Sequence, residues 1–421
     1  MPLRKVNIDW PLVLCALALT TFGILMVYSA GVTDRPTRSV ANAWKLQLVW
    51  FAISLIAAFA LSRASVRMIE WLTVPLYGLA IFLLVIVLIP GLGSGGGTAE
   101  SVHGWLTIGG KRLGQPAEFA KLSVVLMLAR VLAQFRTSPK SMFDLWKPIV
   151  VVGVPLVLIM KQPDLGTGIV FVGIFFLMLF WTGVPWKLLV LLASPVVSLV
   201  LAFNSLIWGA WLILVFGLLI WYRPYLTEGI IIMMGNVITG ISSPILWDSL
   251  KPYQQDRLLV FVRPDEADPR RAAYHVTQSR VAIGSGGWTG HGFTHGPQKR
   301  LAFLPEQHTD FIFAVVGEEL GYIGVGLALA LFLFLFLRII RISERANDSF
   351  SSLVAFGLLG SWFTHVLENV GMTLNLMPIT GIPLPFFSYG GSFLLASWMA
   401  IGILTRISSE GRGGGAGQLR I

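Results

Sequence analysis

The sequence predicts an all-α protein that crosses a membrane many times. Hydrophobic residues make up 55% of the 421-residue chain and charged residues only 12%, about half the charged share of an ordinary soluble domain. The mean hydropathy is +0.76. Apolar runs follow one another along nearly the whole chain, with one long polar interruption at 248–310. These observations argue against a large soluble domain and for a polytopic helical bundle.

Twelve transmembrane helices are predicted, because twelve apolar runs are each about long enough to cross the hydrocarbon core of a bilayer. The first run follows Arg4 and Lys5 and is longer than the apolar region of a signal peptide, so we interpret it as a retained helix. The predicted helices are 11–30, 46–62, 72–90, 118–135, 148–161, 166–183, 187–204, 206–222, 228–247, 311–338, 351–372 and 386–406.

The distribution of Lys and Arg predicts that both termini lie in the cytoplasm, because basic residues concentrate in short cytoplasmic loops. The same rule accounts for much of the net charge of +10, without nucleic acid as a partner. This orientation places 91–117, 161–167 and 248–310 outside the cell. We therefore expect one integral membrane domain at 1–410, in which 248–310 is a large extracytoplasmic loop. The glycine-rich end, 411–421, is expected to be a flexible cytoplasmic tail.

Asp310 stands where the long polar loop meets an apolar helix, within Phe303-Leu-Pro-Glu-Gln-His-Thr-Asp-Phe-Ile-Phe313. Two interpretations fit this position. Thr309 or Asp310 could cap the helix by accepting a bond from a free backbone N–H group. Alternatively, an ionised carboxylate at the boundary between membrane and water could act as a general base on a lipid-linked sugar.

Several charged residues lie inside predicted helices, where ionised side chains are costly and usually face the bundle interior or a wet cavity. Glu118 and Lys121 are three residues apart and can pair on one helix face. The pair either fixes helix packing or belongs to a functional cavity. Glu318 and Glu319 follow Asp310 along the tenth predicted helix, and for them a structural ion pair is favoured.

The long loop is rich in glycine, histidine and basic residues. Its basic side chains form either a solvated or lipid-facing surface or a pyrophosphate site. The glycines of 283–296 permit close approach to a ligand or simply tight turns, and no Gly-Lys-Ser/Thr of a nucleotide loop follows them. The histidine spacing matches no metal signature. Besides Lys251, the basic residues are Arg257, Arg263, Arg270, Arg271, Arg280, Lys299 and Arg300.

Five motifs together resemble the SEDS family (shape, elongation, division and sporulation) and run through most of the chain. They are Gln115-Pro-Ala-Glu-Phe-Ala-Lys121, Gln162-Pro-Asp-Leu-Gly-Thr167, Gln278-Ser-Arg-Val-Ala-Ile-Gly-Ser-Gly-Gly287, the Phe303–Phe313 segment, and Gly381-Ile-Pro-Leu-Pro-Phe-Phe-Ser-Tyr-Gly-Gly391. Tyr274-His-Val-Thr-Gln278 and Pro378-Ile-Thr-Gly381 are more similar to members that act in elongation than to those that act in division. Ala117, Pro297 and Phe393 depart from the usual family motifs, and Pro297 removes a hydroxyl at its position.

The resemblance implies a bundle of ten core helices, to which 206–247 adds an inserted helical hairpin. It also implies an enzyme that polymerises the peptidoglycan precursor lipid II into glycan strands during cell-wall elongation and the maintenance of cell shape. The transfer would invert the anomeric centre, with undecaprenyl pyrophosphate as the leaving group. Two alternatives stay open: a flippase or transporter of lipid-linked precursors, and a non-catalytic scaffold for a cell-wall synthase.

Residue roles follow from the same resemblance. Asp310 would be the catalytic base. The expected substrate contacts are Glu118, Lys121, Arg280, Lys299 and Arg300, and the expected supporting residues are Asp164, Glu319, Gln278 and Ser388. No cofactor is certain, although a magnesium or manganese ion could assist the leaving pyrophosphate. The expected partner is a class B penicillin-binding protein, and the expected location is the bacterial plasma membrane.

Overall fold

A computed structural model describes residues 7–34, 38–95, 104–109, 111–262, 272–304 and 306–413. Three of the basic loop residues, Arg263, Arg270 and Arg271, lie outside these ranges. So does most of the predicted tail, from 414 to 421. The first three residues of that tail are helical and continue the last helix, which runs to Gly413. The flexibility of the tail stays a prediction.

Helices form most of the described chain, together with one 3-10 turn at Met142–Leu145. In chain order they are α1 (Trp10–Gly31), α2 (Arg38–Ala41), α3 (Ala43–Arg63), α4 (Val66–Val87), α5 (Pro116–Leu132), α6 (Trp146–Met160), α7 (Leu165–Trp181), α8 (Trp186–Leu201), α9 (Ser205–Tyr222), α10 (Leu226–Ser249), α11 (Pro252–Val262), α12 (Ala272–Ser285), α13 (Pro297–Arg300), α14 (Ile312–Glu344), α15 (Ser349–Thr373) and α16 (Gly391–Gly413).

All twelve predicted transmembrane helices are found, which confirms the polytopic all-α class. Nine candidate spans in the described ranges are long and apolar enough to cross a membrane, and α7 and α8 are shorter apolar helices. The remaining helix, α5, is 17 residues long and carries the charged residues of the fourth predicted span. The fold is therefore that of a multi-pass membrane protein.

Several helix boundaries differ from the predictions, and the starts of α4 and α16 have clear structural causes. Helix α4 begins at Val66, six residues before the predicted start, because Ser65 caps it by accepting a bond from the Met68 N–H at 3.2 Å. Helix α16 begins at Gly391 instead of 386. The preceding residues form a turn, in which Phe386 has a φ of +63°.

The centre of the bundle is formed by α15 and α16. In each of these two helices, 83% of an apolar stretch of 18 residues is buried inside the protein. The corresponding share is 17% in α3 and 11% in α9. The predicted hairpin, now α9 and α10, packs on α8 at the periphery. Its small core of Leu191, Val215 and Ile232 is separate from the main hydrophobic core.

One end of the bundle, which we call the loop end, carries α11, α12 and α13 of the long polar segment. A small antiparallel sheet leads into α5 there, although a purely helical fold was expected. Its strands are β1 (Gly93–Ser94), β2 (Trp105–Ile108) and β3 (Lys111–Gly114), in the order β1-β2-β3.

Candidate active site

Asp310 lies in the turn that joins the long loop to α14. The Glu306 carbonyl closes this turn by accepting bonds from the backbone N–H groups of Thr309 at 3.1 Å and Phe311 at 3.3 Å. Phe311 is the N-cap of α14, and no side chain of the described residues caps the helix there. The capping interpretation of Asp310 is therefore wrong, and its carboxylate is available for chemistry.

The Asp310 carboxylate faces Gly381, in the loop between α15 and α16. Gly381 has a φ of +73°, and a Cβ added to it would lie 3.1 Å from Asp310 Oδ2 and 3.7 Å from Arg257 Nη1. Glycine is thus required by the left-handed backbone and by the nearby carboxylate. Arg257 comes from α11, so three distant parts of the chain meet here. We call Asp310, Arg257 and Gly381 the Asp310 cluster.

Burial raises the pKa of Asp310 from an ordinary 3.8 to about 6, because loss of water disfavours the carboxylate form. The positive charge of Arg257 opposes this rise, as does a hydrogen bond from Thr309, whereas the charges of Glu306 and Asp164 add to it. A carboxylate with a pKa of about 6 is ionised at neutral pH and is a better proton acceptor than an ordinary aspartate.

Ser388 supports the loop that carries Gly381. Its side chain is buried, and its Oγ accepts a bond from the Leu384 N–H at 2.8 Å. Gln47 of α3 holds the same loop at two points. Its Nε2 donates to the Ser388 carbonyl at 3.1 Å, and its Oε1 accepts from the Gly390 N–H at 3.2 Å. This geometry fits the supporting role predicted for Ser388.

Asp164 joins the ends of two helices. It caps α7, because its Oδ1 accepts from the Thr167 N–H at 3.0 Å and its Oδ2 accepts from Thr167 Oγ1 at 2.8 Å. Oδ2 also accepts from Gln115 Nε2 at 3.4 Å, and Gln115 immediately precedes α5. The placement of Asp164 fits the structural role expected of it.

Glu118 and Lys121 form the expected pair in the first turns of α5. Lys121 Nζ lies 2.8 Å from Glu118 Oε2 and 2.8 Å from His365 Nε2, and both charged side chains are buried. They line a cavity of about 20 Å³ together with Trp362 and Phe393, room for about one water molecule. The structure therefore shows an internal pair, and substrate contact by these two residues stays a prediction.

Lys299 and Glu319 also form a buried pair. Lys299 Nζ lies 2.6 Å from Glu319 Oε1, and both side chains are 0% exposed. Ser29 of α1 completes the cluster by donating to Glu319 Oε2 at 2.5 Å and accepting from Lys299 Nζ at 3.1 Å. Because its ammonium group is enclosed and bonded, Lys299 does not offer a phosphate contact here. Glu319 therefore lies in a buried structural pair, and its supporting role in the reaction stays a prediction.

The other predicted substrate contacts lie nearer the surface. Arg300 Nη2 pairs with Asp34 Oδ1 at 3.1 Å, and about half of each side chain is exposed. Arg280 is exposed on α12, and Gln278 is partly buried on the same helix. The roles of Arg280, Arg300 and Gln278 therefore stay predictions. Arg257 was missed, because no local signal distinguishes it from the other basic residues of its loop.

The glycine-rich stretch serves the packing of α14. Gly321 interrupts α14 with a φ of +61°, and the turn at 286–292 lies against this kink. The N–H groups of Tyr322 and Ile323 donate to the carbonyls of Gly287 and Trp288 at 2.9 and 3.2 Å. A Cβ on Gly290 would lie 2.0 Å from the Glu319 carbonyl oxygen. Tight backbone packing thus explains these glycines without a ligand.

A metal ion finds no ready protein site. Among the residues that the structure describes, no group of three or more His, Cys, Asp or Glu side chains could hold one. Magnesium often uses only one or two carboxylates together with substrate phosphates. The described residues therefore do not form a metal site that the protein builds alone, and a magnesium or manganese ion stays a prediction.

The fold and the Asp310 cluster define a polytopic membrane protein with a buried carboxylate at one end of its bundle. Residues 9–214 and 209–413 match the family described as cell cycle protein, which comprises FtsW, RodA and SpoVE. The chain belongs to this family, the SEDS family.

Three known proteins illustrate the similarity. The chain is 33% identical to the peptidoglycan glycosyltransferase RodA of Treponema pallidum (strain Nichols), over 97% of this chain and 100% of the relative. It is also 33% identical to the peptidoglycan glycosyltransferase MrdB of Escherichia coli (strain K12), over 96% and 95% of the two chains. A chain in the structure of a peptidoglycan synthase complex that coordinates polymerization and crosslinking matches with a TM-score of 0.71 and 25% identity. That match covers 97% of this chain and 99% of the other.

Proposed function

We propose that the protein is a peptidoglycan glycosyltransferase that polymerises lipid II, with Asp310 as the base. The observation that carries the proposal is the Asp310 carboxylate itself. It does not cap α14, its pKa is raised to about 6, and it faces Gly381, where an added Cβ would lie 3.1 Å from Oδ2. The names of the two relatives, which share the whole length of the fold, support the same activity.

In the proposed reaction, a sugar hydroxyl of the acceptor attacks the anomeric carbon of the donor sugar. A new carbon–oxygen bond forms as the bond to undecaprenyl pyrophosphate breaks, and the pyrophosphate leaves with the electron pair. Asp310 takes the hydroxyl proton. One displacement inverts the anomeric centre, so no sugar becomes attached to the protein. The pyrophosphate is already a good leaving group, and no general acid is needed.

The negative charge that develops on the leaving group must be neutralised. Arg257 is the cation nearest the Asp310 carboxylate among the groups that the structure describes around Gly381. We assign it to this task together with Arg280, whose exposed side chain is accessible to a lipid-linked phosphate. A divalent cation bound mainly by the pyrophosphate itself would supply further neutralisation.

The biological setting is part of the proposal. The protein would act in the bacterial plasma membrane during elongation, with both termini in the cytoplasm and the Asp310 cluster outside. Its partner would be a class B penicillin-binding protein, and the similarity to a chain of a peptidoglycan synthase complex supports this. Copurification in mild detergent tests the partnership. Full polymerising activity of the isolated chain would show that the partner is not required.

Reconstitution of the purified protein with lipid II tests the activity. We expect glycan polymer, which gel electrophoresis of the product would reveal. Translocation of lipid II across the vesicle membrane without polymer would instead identify a flippase. If neither occurs, even with the partner present, the protein is a scaffold and the proposal is wrong.

The orientation has its own test. In a Cys15→Ser background, single cysteines replace Thr289 of the long loop and Ser349 at the start of α15, both exposed positions. Only the Thr289 position should react with an impermeant thiol reagent in intact spheroplasts. The opposite pattern would place the Asp310 cluster inside the cell and remove it from its substrate.

A further inference from the structure

The turn that carries Asp310 and the loop that carries Gly381 are tied together by one side chain. Asn369 lies on α15 and is 0% exposed. Its Nδ2 donates one hydrogen bond to the Asp310 carbonyl at 2.9 Å and another to the Ile382 carbonyl at 2.8 Å. Carbonyl oxygens only accept, so the orientation of the amide is fixed, and both of its N–H groups are used.

This tie acts on the contact that makes the site. Ile382 immediately follows Gly381, whose missing Cβ would stand 3.1 Å from Asp310 Oδ2. The Asn369 amide therefore helps to set the distance between the Asp310 carboxylate and the loop that carries Gly381. The amide oxygen of Asn369 accepts no hydrogen bond within the part of the chain that the structure describes. In that part of the chain, the Asn369 side chain is therefore hydrogen-bonded through the two bonds that Nδ2 donates.

A second side chain of α15 contacts the next residue of the loop that carries Gly381. His365 is one helical turn before Asn369, and its Nδ1 bonds to the Pro383 carbonyl at 2.9 Å. Its Nε2 faces the Lys121 ammonium, which can only donate, so Nδ1 carries the proton. One face of α15 thus holds two successive carbonyls of the Gly381 loop.

We propose that Asn369 is a positioning residue for the transfer reaction, which holds the Asp310 backbone against the Gly381 loop. The proposal rests on the function given above, because it concerns the same carboxylate. Asn369 touches no reacting atom. It acts through Asp310, so its loss should lower the turnover rate kcat and leave the substrate KM nearly unchanged.

The test compares Asn369→Ala with a matched control in the full-length protein, with its partner if activity requires one. Asn236, in the α9–α10 hairpin, is also 0% exposed and also donates two bonds through Nδ2, to Ser194 Oγ at 2.7 Å and the Ile232 carbonyl at 2.9 Å. Both alanine variants should lose thermal stability. Only Asn369→Ala should lose kcat in lipid II polymerisation, by ~10–100-fold, since a displacement of about 1 Å can cost that much.

The proposal is overturned if Asn369→Ala keeps the wild-type kcat per folded molecule, or if Asn236→Ala loses as much. If Asn369→Ala does not accumulate, Asn369→Ser is assayed, because its hydroxyl is too short to reach both carbonyls. Failure of both Asn369 variants to accumulate, while Asn236→Ala does, would assign Asn369 to folding alone. Asp310→Asn in the same assay separates the two ideas. An inactive Asp310→Asn beside a normal Asn369→Ala refutes only the role of Asn369, whereas an active Asp310→Asn refutes the proposed base.

Discussion

Two neighbouring basic residues, Lys299 and Arg300, should differ sharply in what they contribute to stability. Both were expected to contact phosphate. The structure instead pairs Lys299 with Glu319 at 2.6 Å where both are 0% exposed, and Arg300 with Asp34 at 3.1 Å where they are 48% and 50% exposed. The chemistry of the two pairs is similar, and their burial is not.

Removal of the buried cation leaves the Glu319 carboxylate without its charged partner, and among the described residues Ser29 still donates a hydrogen bond to it. Breaking one side of a buried pair costs about 3–5 kcal/mol, because the remaining charge is not compensated. Loss of the exposed pair costs about 0–1 kcal/mol, since water and salt already screen it. Lys299→Met should therefore destabilise the protein strongly, and Arg300→Ala should change its stability little.

The assay is thermal denaturation of the purified variants in one detergent, together with their abundance in the membrane. The double variant Lys299→Met with Glu319→Gln should be more stable than Lys299→Met alone, because it removes the stranded charge. Equal stability losses for Lys299→Met and Arg300→Ala would refute this reasoning. A stable Lys299→Met protein with a raised KM for lipid II would restore Lys299 as a substrate contact.

Three further predictions follow from the site. The kcat/KM of polymerisation should fall about tenfold per pH unit below about pH 6, because Asp310 must be unprotonated to act as the base; a profile flat down to pH 5 would contradict this. Gly381→Ala should reduce polymerisation at least ~10-fold through a strained backbone and a crowded carboxylate, whereas Gly91→Ala, with a φ of +90° and no atom of the described residues within 4 Å, should share only the strain. Lys121→Met should lower the melting temperature more than the double variant with Glu118→Gln does, because the single change strands a buried carboxylate; additive losses would show that the two do not act as a pair.

The helical framework was predictable because hydrophobic runs encode it directly. The twelve helices, the peripheral hairpin and the place of Asp310 before α14 all follow from local patterns or from motifs. The start of α4 was missed because Ser65, a single capping residue, determines it. The small sheet was missed because strands of two to four residues are too short to carry a clear periodic signal.

The environment of each charged residue was less predictable than its position in the chain. Glu319 of α14 meets Lys299 of α13, 20 residues earlier in the chain. Arg257 of α11 and Asp310 both lie close to Gly381, which follows them by many residues. Such contacts join residues far apart in sequence, and local patterns do not report them. The motif singled out Asp310, but only the fold shows what surrounds it.

The most direct test of the account is lipid II polymerisation by Asp310→Asn. Asparagine has nearly the same shape but cannot accept the proton, and loss of a general base typically costs ~10²–10⁴ in rate. Burial raises the pKa of Asp310 to about 6, so the ionised carboxylate costs stability above that pH and the neutral amide removes this cost. We therefore expect a variant at least as stable as the wild type that makes almost no polymer. A stable Asp310→Asn protein that polymerises at the wild-type rate would contradict the central claim that Asp310 is the catalytic base.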